Sequence, residues 1–169
     1  NKISNNIISS LNFSLTNSQN KVINEIQKDL LSETRMFRVI QGDVGSGKTI
    51  VSLLTAANVI ESNYQCALMA PTEILAKQHY ELAKKIFKKS NVNVAFVVGK
   101  TENKDKKEII KNLKSNKINL IIGTHSLFQK KIEFYKLGLI IVDEQHKFGV
   151  KQRIALAEKG GNECDVLLM

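Results

Sequence analysis

Short blocks of consecutive apolar residues alternate along the chain with longer stretches in which apolar side chains recur every three or four positions. Val22, Ile23, Ile26, Leu30 and Leu31 follow the second pattern and predict an amphipathic helix that Thr16 can cap. An Asn/Ser-rich opening, Asn1 to Ser10, leads into that stretch. Phe37 to Gln41 predicts a short buried strand, followed by a glycine-rich turn and a helix from about Lys48 to Ser62. Cys66 to Ala70 predicts a second strand, and Pro71 with Thr72 opens a helix that runs to about Lys89, proline suiting a helix entrance and threonine a cap. Val94 to Val98, Leu120 to Ile122, Leu139 to Val142 and Val166 to Leu168 predict four more strands. A lysine-studded helix, Lys104 to Lys114, with Ile109, Ile110 and Leu113 as its apolar stripe, lies between the first two of these. Buried strands alternating with helices predict an α/β fold: a mostly parallel sheet flanked by helices on both faces.

The length, 169 residues, suits one domain. At 43% hydrophobic and 24% charged residues the chain has the composition of a folded globular protein and neither a disordered segment nor a fibre. Its apolar runs are too short to span a bilayer, so no membrane association is expected. No basic-then-apolar leader opens the sequence, and Cys66 and Cys164 lack metal-ligand spacing; a cytoplasmic protein with reduced cysteines is expected. The chain begins with Asn and ends inside an apolar run, so a piece of a longer polypeptide is expected.

Lys and Arg number 25 against 16 Asp and Glu, a formal charge of +9 that favours polyanions. Much of the excess lies between Lys84 and Lys117, where eleven lysines face Glu102, Asp105 and Glu108. A solvated surface is built the same way, so charge alone names no partner.

Gly42, Asp43, Val44, Gly45, Ser46, Gly47, Lys48 and Thr49 fit G-x-x-x-x-G-K-[ST] between a strand and a helix. Such glycines let backbone N–H groups converge on phosphate oxygens at the positive end of the helix. Lys48 can reach the β- and γ-phosphates, and the Thr49 hydroxyl can be a ligand of Mg²⁺. Ile140, Ile141 and Val142 deliver Asp143 and Glu144 to a strand end that opens on the same sheet edge. Asp143 is the candidate for holding the metal and Glu144 for polarising the attacking water.

The tetrad Asp143-Glu144-Gln145-His146 resembles the DExH box of superfamily 2 helicases, and other stretches of that superfamily occur in order. Phe13 to Gln19 resembles its opening F-x-L-T-x-x-Q element. Ala70 to Ala76 with Gln78 and His79 resembles motif Ia, and Gly123 to Gln129 a later DNA-contacting motif. The combination of GDVGSGKT, APTEILAKQH, IIGTHSLFQ and DEQHKFGVKQR is most similar to the RecG family of ATP-dependent DNA helicases. Transcription-repair coupling translocases are the nearest alternative, from which Ser46 and Gln145 separate this chain. Lys147 departs from the arginine common in the family and cannot reproduce a planar bidentate fork.

The resemblance implies a RecA-like lobe that takes ATP and Mg²⁺, with Phe13 and Gln19 at the adenine. Pro71, Thr72, Gly123, Thr124 and His125 would lie at the DNA, and Gln145 and His146 would couple the two sites. It implies branched or duplex DNA as partner, a bacterial, nucleoid-associated setting, and a second RecA-like lobe and a wedge domain elsewhere in the polypeptide. With the second lobe's arginine finger absent, this piece is expected to bind nucleotide but hydrolyse it poorly. The three histidines, His79, His125 and His146, lack zinc spacing, so no zinc is expected, and nothing points to an obligate dimer. No aromatic platform for base stacking is apparent. A nucleotide-switched binding module without motor activity is the other class that the phosphate loop allows.

Overall fold

The computed structural model describes residues 2–129, 131–144 and 164–169. Among the described residues twelve elements follow one another: α1 (Lys2–Ser10), α2 (Asn17–Leu30), β1 (Phe37–Val39), α3 (Lys48–Glu61), β2 (Gln65–Met69), α4 (Glu73–Phe87), β3 (Val94–Val97), α5 (Asn103–Lys114), β4 (Leu120–Gly123), a short 3-10 turn (His125–Phe128), β5 (Leu137–Val142) and β6 (Asp165–Leu168). The strands form one sheet in the order β1-β6-β5-β2-β4-β3, and every pairing is parallel.

Strict alternation along the central strands fills both faces. Cys66, Leu68, Leu139 and Ile141 belong to a core shared with α1, α2, α3 and α4. Ala67, Met69, Ile140 and Val142 belong to a second core that includes Leu113 of α5 and Leu127. A strand buried on both sides has no polar face to show, which is why these segments read as unbroken apolar runs. Gln65 is the polar exception at the opposite end of the sheet from the phosphate loop. Its amide donates to the carbonyls of Leu113 and Ile118 at 2.9 and 2.7 Å, and its oxygen accepts from the amides of Tyr135 and Lys136 at 2.8 and 3.2 Å.

The structure adds to some of these expectations and corrects others. The opening is a helix: α1 buries Ile7, and the Ser4 hydroxyl donates to the Leu54 carbonyl at 3.5 Å and bonds the Asn58 side chain on α3. β1 is not buried, with Phe37 67% and Val39 41% exposed, because it is the outermost strand on its side among the described residues. Pro71 lies before the cap rather than in the first turn: Thr72 is the cap of α4, its hydroxyl accepting from the Leu75 amide at 3.2 Å, and α4 begins at Glu73. The apolar stripe of α5 faces the second core as the spacing predicts, with Leu113 fully buried and Ile109 and Ile110 half-covered against it.

Candidate nucleotide and DNA site

In a parallel sheet all carboxyl ends lie on one edge, and here a continuous last rung of backbone hydrogen bonds crosses it. Ile40 donates to Leu168 at 2.7 Å, Met169 to Val142 at 2.9 Å, Asp143 to Met69 at 2.8 Å and Ala70 to Gly123 at 2.9 Å. That rung joins the strand before the phosphate loop to the strands before Asp143, Pro71 and Thr124. The loop after β1 and the acid pair after β5 are separated by β6 alone, a lateral distance of about 10 Å at ordinary strand spacing.

The loop itself is built by backbone conformation. Gly45 and Gly47 both have φ +84°, the left-handed region that other residues enter only at a cost. A Cβ on Gly42 would lie 2.7 Å from Ser46 Oγ, and one on Gly47 would lie 2.2 Å from Gln19 Nε2. α2 and α4 have their first-turn amides capped by Thr16 and Thr72. α3 starts from Gly47 with no side chain accepting from its first turn. Its amides are therefore available to an external acceptor, and an anion at the positive end of a helix is the acceptor the geometry favours. Lys48 folds over the same loop, its ammonium donating to the carbonyl of Gly42 and to that of Asp43 at 3.0 Å. Val44 stands fully exposed at the loop tip.

Gln19 braces this loop. Its Oε1 accepts from the Thr16 amide at 2.9 Å, completing a capping box, and its Nε2 donates to the Ser46 carbonyl at 2.9 Å. One N–H and one lone pair of the amide remain for a base. Phe13, half-exposed in the link between α1 and α2, precedes it.

At the end of β5, Asp143 is half-buried and Glu144 holds φ +53°, unusual for a side chain of its size. Local backbone strain of this kind concentrates at functional positions. The side chain of Asp143 is engaged: His79 Nε2, on α4, donates to its Oδ2 at 2.6 Å, with both side chains at most 15% exposed. His79 is a contact of the acid pair that its motif alone does not point to. The signal that could have found it is the pairing of β2 with β5, which brings the helix after β2 beside the acid after β5.

The DNA-directed residues divide. Thr72 and His125 are exposed and Pro71 is half-exposed on the edge. Thr72 uses one lone pair as a cap and keeps its O–H for an outside oxygen. Gly123 and Thr124 are buried at the end of β4. A Cβ on Gly123 would lie 2.0 Å from the Val97 carbonyl, so glycine there serves strand packing, and the Thr124 hydroxyl turns inward to Ser126 Oγ at 3.3 Å. Gln145, His146 and Lys147 lie outside the described residues.

The donor set suits a hard cation next to phosphate. Mg²⁺ is usually held by one or two protein oxygens plus phosphate oxygens rather than by a protein cage. Thr49 and Asp143 supply that number, and among the described residues no group of three or more His, Cys, Asp or Glu side chains gathers elsewhere as a metal site. The cysteines are no part of this chemistry: both are free and fully buried, and burial pushes the Cys66 thiol well up and the Cys164 thiol up to about 12. No helix of the described residues is long and apolar enough to cross a membrane.

The DEAD/DEAH box helicase model matches residues 16–166, the whole span from the capping box to β6. The chain belongs to that helicase family. It is 50% identical over 153 residues to the ATP-dependent DNA helicase RecG of Aquifex aeolicus, covering 90% of this chain and 19% of that protein. It is 46% identical over 168 residues to RecG of Thermotoga maritima, covering 99% of this chain and 21% of the relative. A solved structure of RecG bound to a three-way DNA junction superposes with a TM-score of 0.88 at 42% identity, covering 99% of this chain and 22% of that one. The chain thus spans about a fifth of the length of these helicase relatives. Its parallel sheet with helices is the RecA-like helicase fold, and its family uses ATP.

Proposed function

We propose that this chain is one RecA-like lobe, residues 1–169, of a RecG-like ATP-dependent DNA helicase that remodels branched DNA and stalled replication forks, in the bacterial cytoplasm at the nucleoid. A second RecA-like lobe and a wedge domain of the same polypeptide complete the machine, which acts as a monomer. The observation that supports this reading is the last rung across the sheet edge, which hydrogen-bonds together the ends of the strands that lead into the phosphate loop, the acid pair and the Pro71–Thr72 turn.

Lys48 and the first-turn amides of α3 bind the triphosphate, and Gln19 with Phe13 orients the adenine. Thr49 and Asp143 would hold Mg²⁺, which would supply charge neutralisation to the bound phosphates. Glu144 accepts a proton from the attacking water and so aligns it with the γ-phosphorus. Thr72, Pro71 and His125 meet the DNA backbone, reading its phosphates and shape rather than its sequence. Gln145 and His146 couple the two sites. The isolated lobe binds ATP but turns it over poorly, since the arginine finger of the other lobe is worth about 10³–10⁵-fold in related NTPases.

The test is Glu144→Gln in the full-length protein. The expected result is retained ATP binding with DNA-stimulated hydrolysis reduced at least about 100-fold, a general-base loss. Unchanged hydrolysis in a folded variant overturns the assignment of Glu144, and turnover in the parent protein that ignores DNA overturns the motor reading.

A further inference from the structure

α4 does two things at once in this fold. Its cap, Thr72, stands exposed on the edge, and His79, seven residues on, lies about 10 Å further along the helix, nearly out of solvent and within hydrogen-bond reach of Asp143. The strand that feeds α4 is also bonded to the same acid, since the Asp143 amide donates to the Met69 carbonyl at 2.8 Å. Asp143 is thus gripped by main chain and side chain from one β-α unit, and that unit begins with the surface proposed to meet DNA.

We propose that His79 is a positioning residue for Asp143: it takes up Oδ2, leaves Oδ1 for the ion, and passes displacement of α4 to the metal-binding carboxylate. Histidine–carboxylate pairs behind a metal fix the orientation of the ligating group, and losing one typically costs 10- to 100-fold in metal affinity or activity. The inference rests on the reading of Asp143 as the carboxylate that holds the divalent ion. His79 itself touches neither substrate nor ion.

The experiment compares His79→Gln, which keeps an N–H donor, with His79→Met, which fills similar space without one, in the full-length protein. The readouts are Mn²⁺ affinity by electron paramagnetic resonance in the presence of a non-hydrolysable ATP analogue, nucleotide affinity without divalent ion, and the Mg²⁺ concentration for half-maximal DNA-stimulated hydrolysis. His79→Met is expected to weaken Mn²⁺ binding and raise the Mg²⁺ requirement about 10-fold or more. Metal-free nucleotide binding should be unchanged, and His79→Gln should recover most of the loss. Equal Mn²⁺ affinity in His79→Met and the parent overturns the proposal, as does equal loss in both variants. Asp143→Asn, run alongside, separates the two levels. If it weakens Mn²⁺ binding and His79→Met does not, the positioning role fails alone; if Asp143→Asn has no effect, the metal reading fails and takes the positioning role with it.

Discussion

Gln19 donates from Nε2 to the carbonyl of Ser46 at 2.9 Å across 27 positions of sequence, so the residue that completes the cap of α2 also braces the phosphate loop. The two ends of one amide do separate work, and a substitution can remove one without the other.

Gln19→Glu keeps an oxygen for the Thr16 amide and loses the donor to Ser46, while adding negative charge beside an anion site. Nucleotide affinity is expected to fall at least about 10-fold with the melting temperature little changed. Gln19→Ala removes both side-chain bonds but keeps the Thr16 cap, and should also cost about 1 kcal/mol of stability, the ordinary net value of a lost hydrogen bond. Fluorescent-nucleotide titration and urea denaturation measure the two effects separately.

Gly45 and Gly47 share φ +84° but not surroundings, since a Cβ on Gly45 meets nothing within 4 Å and one on Gly47 meets the Gln19 amide. Gly45→Ala should cost about 1–2 kcal/mol of backbone strain. Gly47→Ala should cost more and should also displace Gln19, so it alone is expected to reproduce the nucleotide defect of Gln19→Ala. Thermal melts of both variants, with the same nucleotide titration, give the order.

Gln65→Leu removes the partners of two carbonyls and two amides at the far end of the sheet. The Leu113 carbonyl keeps the Asn116 amide at 3.1 Å, whereas the Ile118 carbonyl loses the Gln65 donor, and a buried polar group left unpaired costs about 1–3 kcal/mol, so a loss of about that size is expected, detectable as a shifted urea midpoint. Nucleotide affinity of the folded fraction should not change.

Burial raises the pKa of the Asp165 carboxyl, against the opposing effects of the Met36 amide, which its Oδ1 accepts at 2.7 Å, and of Arg35. An acid held more protonated in the folded state makes a contribution that is best below its unfolded pKa near 3.8 and worsens as pH rises through the folded value. Asp165→Asn keeps an oxygen for the Met36 amide and drops the charge. It should raise the melting temperature at pH 7 and give no gain at pH 3. Melting curves at the two pH values check this; a larger gain at pH 3 contradicts it.

The phosphate loop was legible in sequence because its chemistry is local: eight consecutive residues carry the glycines, the lysine and the threonine. The α/β class was legible because strands covered on both faces leave no polar alternation. What stayed hidden depends on neighbours distant in sequence. His79 acquires a role only when β2 and β5 lie side by side. Gly123 and Thr124 match a DNA-contacting pattern, and their burial beside the Val97 carbonyl and Ser126 shows only in the fold. β1 has the composition of an inner strand and an outer position, and composition cannot tell the two apart. α1 hides among Asn and Ser, since Ser4 and Ile7 show their worth only against α3.

β1 meets the rest of the sheet through β6 alone among the described strands, with three residues in register, and its apolar side chains lie half in water. Its amides should therefore exchange with deuterium sooner than those of β2 or β5, through openings smaller than global unfolding. The phosphate loop hangs directly from this strand, so whatever fastens onto the loop also closes those openings. ATP would then act as a clasp on one margin of the sheet, slowing exchange at Phe37–Val39 before it alters exchange in the deeper strands.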